Sequence, residues 1–266
     1  MTRAAAFFDL DKTIIAKSSA LAFGRPFFQG GLINRRAVLR ATFAQLVYAA
    51  SGADEDQVER MRAHITAMCT GWDVAQVREI VDEALHEIVD PIIYAEAAEL
   101  IEEHHAEGRD IVIVSTSGDE VVAPIGALLG ADRVVATRMV VAEGRYTGEI
   151  EFYNYGPTKA TAIRELAASH GYVLADCYGY SDSSTDLPML EVVGHPTAVN
   201  PDKALRRVAA ERGWPILIFT RPVSLRSRLG EWPRPPRPLL AGAAVGVGAA
   251  VAGIAWYSKR RSPGGG

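Results

Sequence analysis

The sequence predicts an α/β protein: a Rossmann-like, mostly parallel sheet, a helical block inserted after the first strand, and a transmembrane helix near the C-terminus. Three observations predict it. Between residue 91 and about 220, short apolar runs of strand length alternate with helix-length segments, the pattern of parallel strands joined by helices. Residues 16 to about 90 show helical periodicity without strand alternation. Leu239 to Tyr257 is a run of 19 residues without a charge.

Taken in order, Ala4-Ala5-Ala6-Phe7-Phe8 is apolar and short, and reads as a buried first strand. In the next block Ala37, Leu39, Phe43, Leu46 and Val47 recur at helical spacing, then Val77, Ile80, Val81, Ala84, Leu85 and Ile88. Ser51-Gly52-Ala53-Asp54 and Cys69-Thr70-Gly71 punctuate them. Phe23, Phe27, Phe28, Phe43, Tyr48 and Trp72 read as the block's own core rather than as a ligand pocket. Arg25, Arg35, Arg36 and Arg40 read as solvated helix faces.

Pro91, a favourable first-turn residue, opens a helix that Gly108 ends. His104-His105 fall on its polar face; neither these histidines nor His195 show metal-ligand spacing. Ile111-Val112-Ile113-Val114 is the second buried strand. Val134-Val135-Ala136 and Val140-Val141-Ala142 are shorter β candidates, with a hairpin turn at Glu143-Gly144-Arg145. A helix runs from Thr158 to Ser169, a strand from Leu174 to Tyr180, and another from Pro196 to Asn200.

Residues 221–238 are rich in proline and arginine, an extended basic linker. The uncharged run at 239–257 is just long enough, at about 1.5 Å per residue, to cross a hydrocarbon core of about 30 Å. Trp256-Tyr257 provides interfacial aromatics, and residues 258–266 form a basic, glycine-ending tail. A flexible Ala/Gly tail is the competing reading. The longer arginine-rich flank precedes the span, which places the α/β part on the cytoplasmic side. Only five apolar residues precede Asp9 after Met1-Thr2-Arg3, too few for a secretory leader.

The chain of 266 residues has a net charge of −4, so bulk electrostatics gives no argument for a nucleic-acid partner. Its two cysteines, Cys69 and Cys177, make neither a disulfide framework nor a zinc-ligand pattern.

The chemistry points to strand ends. Asp9-Leu10-Asp11-Lys12-Thr13 follows the first strand, where open α/β sheets place their ligand crevice. Ser115 follows the second. Lys159 opens a helix, against the macrodipole, and a buried anion would explain it. Asp182 and Asp186 follow the Leu174–Tyr180 strand and can converge on a hard cation such as Mg²⁺. Each has an ordinary alternative: a turn, an N-cap serine, a surface lysine, an acidic first turn. Together, at one edge of one sheet, they are a set able to hold a phosphoryl group beside Mg²⁺.

The order Asp9-x-Asp11-x-Thr13, Ser115, Lys159, Asp182-x-x-x-Asp186 resembles the haloacid dehalogenase superfamily of phosphohydrolases, over about residues 4 to 220. Within it the chain is similar to the phosphoserine-phosphatase-like branch, subfamily IB. Supporting segments include Val141-Ala142-Glu143-Gly144-Arg145-Tyr146-Thr147-Gly148 and Ala198-Val199-Asn200-Pro201-Asp202. The resemblance implies a core of residues 1–15 and 91–220 and a C1 cap of residues 16–90. It implies that Asp9 is the nucleophile and Asp11 the general acid and base. Mg²⁺ would be bound by the Asp9 carboxylate, the Asp11 backbone carbonyl and Asp182. Ser115 and Lys159 would hold phosphoryl oxygens, Asp186 would support the metal shell and Lys159, and Thr13 would brace the loop.

Two departures bear on the substrate. Phosphoserine phosphatases carry an ammonium-binding glutamate where this chain has Ser18, and Ser-Gly-Gly where it has Ser115-Thr116-Ser117. The resemblance implies a small phosphorylated metabolite of the phosphoserine kind, and these two departures speak against serine phosphate itself. The alternatives are a lipid or lysolipid phosphate, or a non-catalytic membrane-tethered regulator that keeps the fold.

Overall fold

Among the described residues, seven strands form one sheet: β1 (Ala5–Phe8), β2 (Asp110–Gly118), β3 (Arg133–Ala142), β4 (Arg145–Phe152), β5 (Tyr178–Ser181), β6 (His195–Val199) and β7 (Ile216–Leu217). The structure is a computed structural model and describes residues 3–33, 63 and 66–222. The strands lie in the order β4-β3-β2-β1-β5-β6-β7. Every neighbouring pair is parallel except the β3–β4 hairpin. The chain builds outward from β1 through β2 to β4, then returns to β5 on the other side. That reversal opens a crevice beyond the strand C-termini, next to β1.

The apolar strands are buried on both faces. Ala6 and Phe8 of β1 and Ile111 and Ile113 of β2 face one core cluster; Ala5, Phe7, Val112 and Val114 face another. This is why these strands read as continuous apolar runs without a polar face. Helices α3 (Val74–Ile88), α4 (Ala95–Ala106) and α5 (Asp119–Leu128) contribute to the first cluster through Val77, Val81, Ala97, Ile101, Val122 and Ile125. Helix α6 (Pro157–His170) covers the second through Ile163 and Ala167. Two short helices, α1 (Ser19–Ala22) and α2 (Gly24–Gln29), precede these in the chain; α7 (Leu187–Leu190) and α8 (Lys203–Arg212) follow.

Several elements differ from expectation. The helix expected from Pro91 begins instead at Ala95. Ile93 and Tyr94 are extended, and the Tyr94 N–H donates to the Ile14 carbonyl at 2.9 Å. Pro91 belongs to a single 3-10 turn, Asp90–Ile92, while Gly108 takes the left-handed φ of +74° just past the helix end. The two β candidates at 134–136 and 140–142 are one strand, β3, because the intervening Thr137 is buried and accepts from the Asn154 N–H. The strand expected from Leu174 starts only at Tyr178; Leu174–Asp176 is a 3-10 turn closed by Asp176 N–H to Val173 and Cys177 N–H to Leu174. The Glu143-Gly144 turn joins β3 to β4 as expected.

His104 is not on a polar face. It is 2 % exposed, accepts at Nδ1 from Arg109 Nε at 2.6 Å and bonds through Nε2 to the Tyr180 hydroxyl at 2.8 Å. With Nδ1 an acceptor, Nε2 carries the proton. Burial, reinforced by Arg109, lowers its pKa to about 4. Both cysteines are free thiols.

Phe23 and Phe27 are buried and pack with Trp72, so these aromatics form core, while Phe28 and Arg25 are exposed. Phe43, Tyr48, Arg35, Arg36, Arg40 and the helical pattern at 37–47 lie outside the described residues. Of the basic linker, only Arg221 and Pro222 are described. Arg221 is no free spacer: it pairs with Glu96 and Glu99 on α4. The rest of the linker, the uncharged run at 239–257 and the tail at 258–266 also lie outside the described residues. No helix among the described residues is long and apolar enough to cross a membrane.

Candidate active site

The crevice beside β1 gathers the acidic motif. Asp9 is the first residue beyond β1, and its N–H still donates to the Tyr180 carbonyl of β5 at 2.9 Å. The chain then turns sharply, with Lys12 at φ +63°. Ile14 and Ile15 both donate to the Leu10 carbonyl, closing the turn. Thr13 is buried and its hydroxyl donates to Asp9 Oδ2 at 3.3 Å, so it braces the loop against the carboxylate.

Lys159 reaches this point from the first turn of α6. The helix is preceded by Gly156 at φ +54°, a conformation that suits glycine. Lys159 is 1 % exposed; its Nζ donates to Asp9 Oδ1 at 2.7 Å and to Asp186 Oδ2 at 2.9 Å. The buried anion expected from its awkward helical position is therefore a pair of carboxylates. Burial opposes the Lys159 ammonium, but Asp9 and Asp186 outweigh it and raise its pKa above the ordinary lysine range. Asp186 Oδ2 also accepts from Ser181 Oγ at 2.8 Å.

Asp11 points to a different set of partners. Its Oδ1 accepts from the Ser19 N–H at 2.8 Å and its Oδ2 from Ser117 Oγ at 3.2 Å. Burial raises its pKa, against the pull of the Ser19 N–H. Ser115 is buried inside β2, which runs on to Gly118 after a register shift in its pairing with β3. The helix cap after this strand is Gly118, so Ser115 is not an N-cap. Its Oγ accepts from the Ser117 N–H at 3.2 Å.

Asp182 lies one residue past β5. Burial pushes its pKa up to about 7, Lys12 pulls it down, and Asp186 and Asp202 push it further up. Burial raises Asp9 as well, Lys159 lowers it, and Asp186 and Asp182 add to the rise. Two lysines, Lys159 and Lys12, thus face the four carboxylates of Asp9, Asp11, Asp182 and Asp186, and the cluster lacks positive charge. An all-oxygen donor set with a charge deficit suits a hard divalent cation. No group of three or more His, Cys, Asp or Glu side chains among the described residues has metal-binding geometry. A site of two carboxylates, Asp9 and Asp182, with the Asp11 backbone carbonyl and waters does not need one, and these residues fit Mg²⁺.

The residues expected from the sequence, Asp9, Asp11, Thr13, Ser115, Lys159, Asp182 and Asp186, all fall in this one crevice. Others were not expected. Ser19 and Ser117 hold Asp11, and Ser181 holds Asp186. Asn154 is fully buried and donates from Nδ2 to the carbonyls of Ser115 at 3.0 Å and Val135 at 2.8 Å. Thr116 Oγ1 donates back to the Asn154 carbonyl at 3.0 Å, so the segment leading to α6 is strapped to β2. Ser181, just before Asp182 at a strand end, had a local signal. Ser117 and Asn154 meet partners far along the chain, and Ser19 meets Asp11 only across the turn between them, which no local pattern marks.

The chain is similar to several known proteins. Residues 6–191 match the haloacid dehalogenase-like hydrolase family. The chain is 68 % identical over 263 residues, covering 98 % of it and 95 % of the relative, to the Streptomyces azureus protein named "Inhibition of morphological differentiation protein". It is 61 % identical over 260 residues to a protein of Mycobacterium tuberculosis (strain ATCC 25618 / H37Rv) named a probable phosphatase, covering 97 % and 90 % of the two chains. A phosphoserine phosphatase of the same strain is 35 % identical over 261 residues, covering 97 % and 82 %. The crystal structure of a protein of unknown function from Bordetella pertussis Tohama I superposes with a TM-score of 0.72 at 27 % identity, covering 82 % of this chain and 99 % of that one. The sheet order, the acidic crevice and the match over 6–191 agree: the chain belongs to the haloacid dehalogenase-like hydrolases.

Proposed function

We propose that the protein is a Mg²⁺-dependent phosphomonoester hydrolase that works through an aspartyl-phosphate on Asp9. The observation that carries this reading is the division of labour between two carboxylates two residues apart. Asp9 is bound to Lys159, whereas Asp11 is bound only to neutral donors. The Lys159 ammonium pulls the Asp9 carboxyl down against its burial, and a bound Mg²⁺ would pull it further, as a nucleophile must be ionised; a carboxylate among neutral donors can pick up and release a proton. The relatives named as phosphatases support the same reaction.

In the first step Asp9 attacks phosphorus and the bond to the leaving oxygen breaks, while Asp11 gives that oxygen its proton. In the second, Asp11 takes a proton from water, the water oxygen attacks phosphorus, and the Asp9–phosphorus bond breaks to release phosphate. Ser115, whose Oγ already accepts from Ser117, has its O–H to offer a phosphoryl oxygen, and Lys159 offsets the accumulating negative charge. Asp186 and Thr13 support Lys159 and Asp9. Asp9, Asp182 and the Asp11 carbonyl would hold Mg²⁺, which would supply neutralising charge to the phosphoryl oxygens.

The substrate is a small phosphorylated metabolite, taken up under a cap formed by residues 16–90. Ser18, where related enzymes bind an ammonium, is the N-cap of α1 and its side chain makes no capping bond. A lipid or lysolipid phosphate is the second reading, favoured by the basic linker and uncharged run that would tether the enzyme to a membrane with the catalytic part cytoplasmic. Deleting residues 239–266 should then release the protein from the membrane fraction. The deciding experiment is a phosphate-release screen with Mg²⁺ over amino-acid, sugar, nucleotide and lipid phosphates, with Asp9→Asn as blank. Release by the native chain well above the blank is expected. No difference between the two on any substrate would leave only a non-catalytic regulator.

A further inference from the structure

Ser117 touches both halves of the site at once. Its backbone N–H donates to Ser115 Oγ at 3.2 Å, and its side chain donates to Asp11 Oδ2 at 3.2 Å. Ser19 Oγ lies 2.8 Å from Ser117 Oγ. A serine hydroxyl has one proton to give. Ser117 gives its proton to Asp11, so Ser19 must be the donor in the serine pair. The result is a directed chain from Ser19 through Ser117 to Asp11.

The two oxygens of Asp11 are held differently. Oδ1 accepts from the Ser19 N–H, a donor that cannot reverse. Oδ2 accepts from the Ser117 hydroxyl, the end of that chain. Oδ2 is therefore the oxygen held by a side chain, and Ser117 can go on donating to one side of it while its other side faces the leaving oxygen. The terminal torsion of an aspartate is broad, so a carboxyl held at one oxygen only is free to turn.

We propose that Ser117, itself held by Ser19, is the positioning residue that fixes Asp11 Oδ2 for proton transfer to the leaving oxygen. The inference rests on the reaction proposed above. It separates the two uses of residue 117: alanine keeps the N–H that serves Ser115 and loses only the hydroxyl that serves Asp11.

The test is the dependence of kcat/KM on the leaving group. 4-Nitrophenolate leaves its phosphate ester without help from an acid; an alkoxide does not. For Ser117→Ala, kcat/KM should fall about 10- to 100-fold on the best alkyl phosphate of the screen and by less than about threefold on 4-nitrophenyl phosphate. Ser117→Thr, which keeps a hydroxyl, should restore the alkyl activity, and Ser19→Ala should show the same bias more weakly. The rise in unfolding temperature on adding Mg²⁺ should be the same in Ser117→Ala and the native chain. An equal loss on both substrates, or no loss on either, overturns the role of Ser117 alone. A native chain that hydrolyses neither substrate overturns the parent reaction, and this inference with it.

Discussion

Lys159 Nζ donates to Asp186 Oδ2 at 2.9 Å, a bond between α6 and the turn after β5 with both groups out of reach of water. Asp186→Ala leaves the ammonium with Asp9 as its single carboxylate partner and takes the acceptor from the Ser181 O–H. Breaking a buried pair from one side costs about 3–5 kcal/mol when the charge left behind has no partner, and less here, where Asp9 stays on Lys159. The variant should show a lower urea midpoint, with phosphate release reduced at least about tenfold. Asp186→Asn keeps an acceptor and should recover part of the stability.

Metal removal should separate binding from turnover. Chelation by EDTA should abolish phosphate release, and Mg²⁺ should restore it. Independently of activity, Mg²⁺ at a hundredfold excess over its Kd should stabilise the folded chain by about 2.7 kcal/mol, read as a higher melting temperature. Asp182→Asn should lose that rise. A melting temperature indifferent to Mg²⁺ in the native chain would contradict the proposed ligand set.

His104 makes stability depend on pH. Its folded pKa, about 4, lies below the ordinary value of 6.5, so the unfolded chain binds the extra proton first. The contribution is complete above about pH 6.5 and is lost as pH falls towards 4, about 3 kcal/mol in all. His104→Gln should flatten the urea midpoint over that window. An unchanged slope would place the acid sensitivity elsewhere.

Gly194 tests packing far from the crevice. A Cβ there would collide with the backbone carbonyl of Ala175, and the Gly194 N–H already donates to Leu174. Two backbones cannot part as a side chain could. Gly194→Ala should cost about 2 kcal/mol with kcat/KM unchanged, because the contact lies at the N-terminal end of β6, opposite the crevice.

What the sequence shows of this site is what lies close in sequence or at strand ends. Asp9 and Asp11 are legible because a fully apolar run stops at them. Lys159 is legible because its place in the first helical turn is unfavourable unless an anion meets it, and two do. Ser117 and Asn154 are not legible: the first works on Asp11 and the second on Ser115, and only the folded sheet brings these pairs together. Among the elements, β3 is hidden by Thr137 and Arg138, polar residues inside a strand whose Thr137 has its own buried partner. Ile93 and Tyr94 read locally as helix, but pairing with Ile14 and Ile15, far earlier in the chain, straightens them.

The place of β1 has a consequence for how the protein is made. Ala6 pairs with Ile111 on one side and Tyr178 on the other. β1 is thus an inner strand, and both its neighbours are translated long after it. At about 5–20 residues per second, Ala5-Ala6-Phe7-Phe8 waits several seconds, uncovered, before it can be enclosed. Nascent chains should depend on a chaperone over that interval, and slower translation before β5 should increase losses to aggregation.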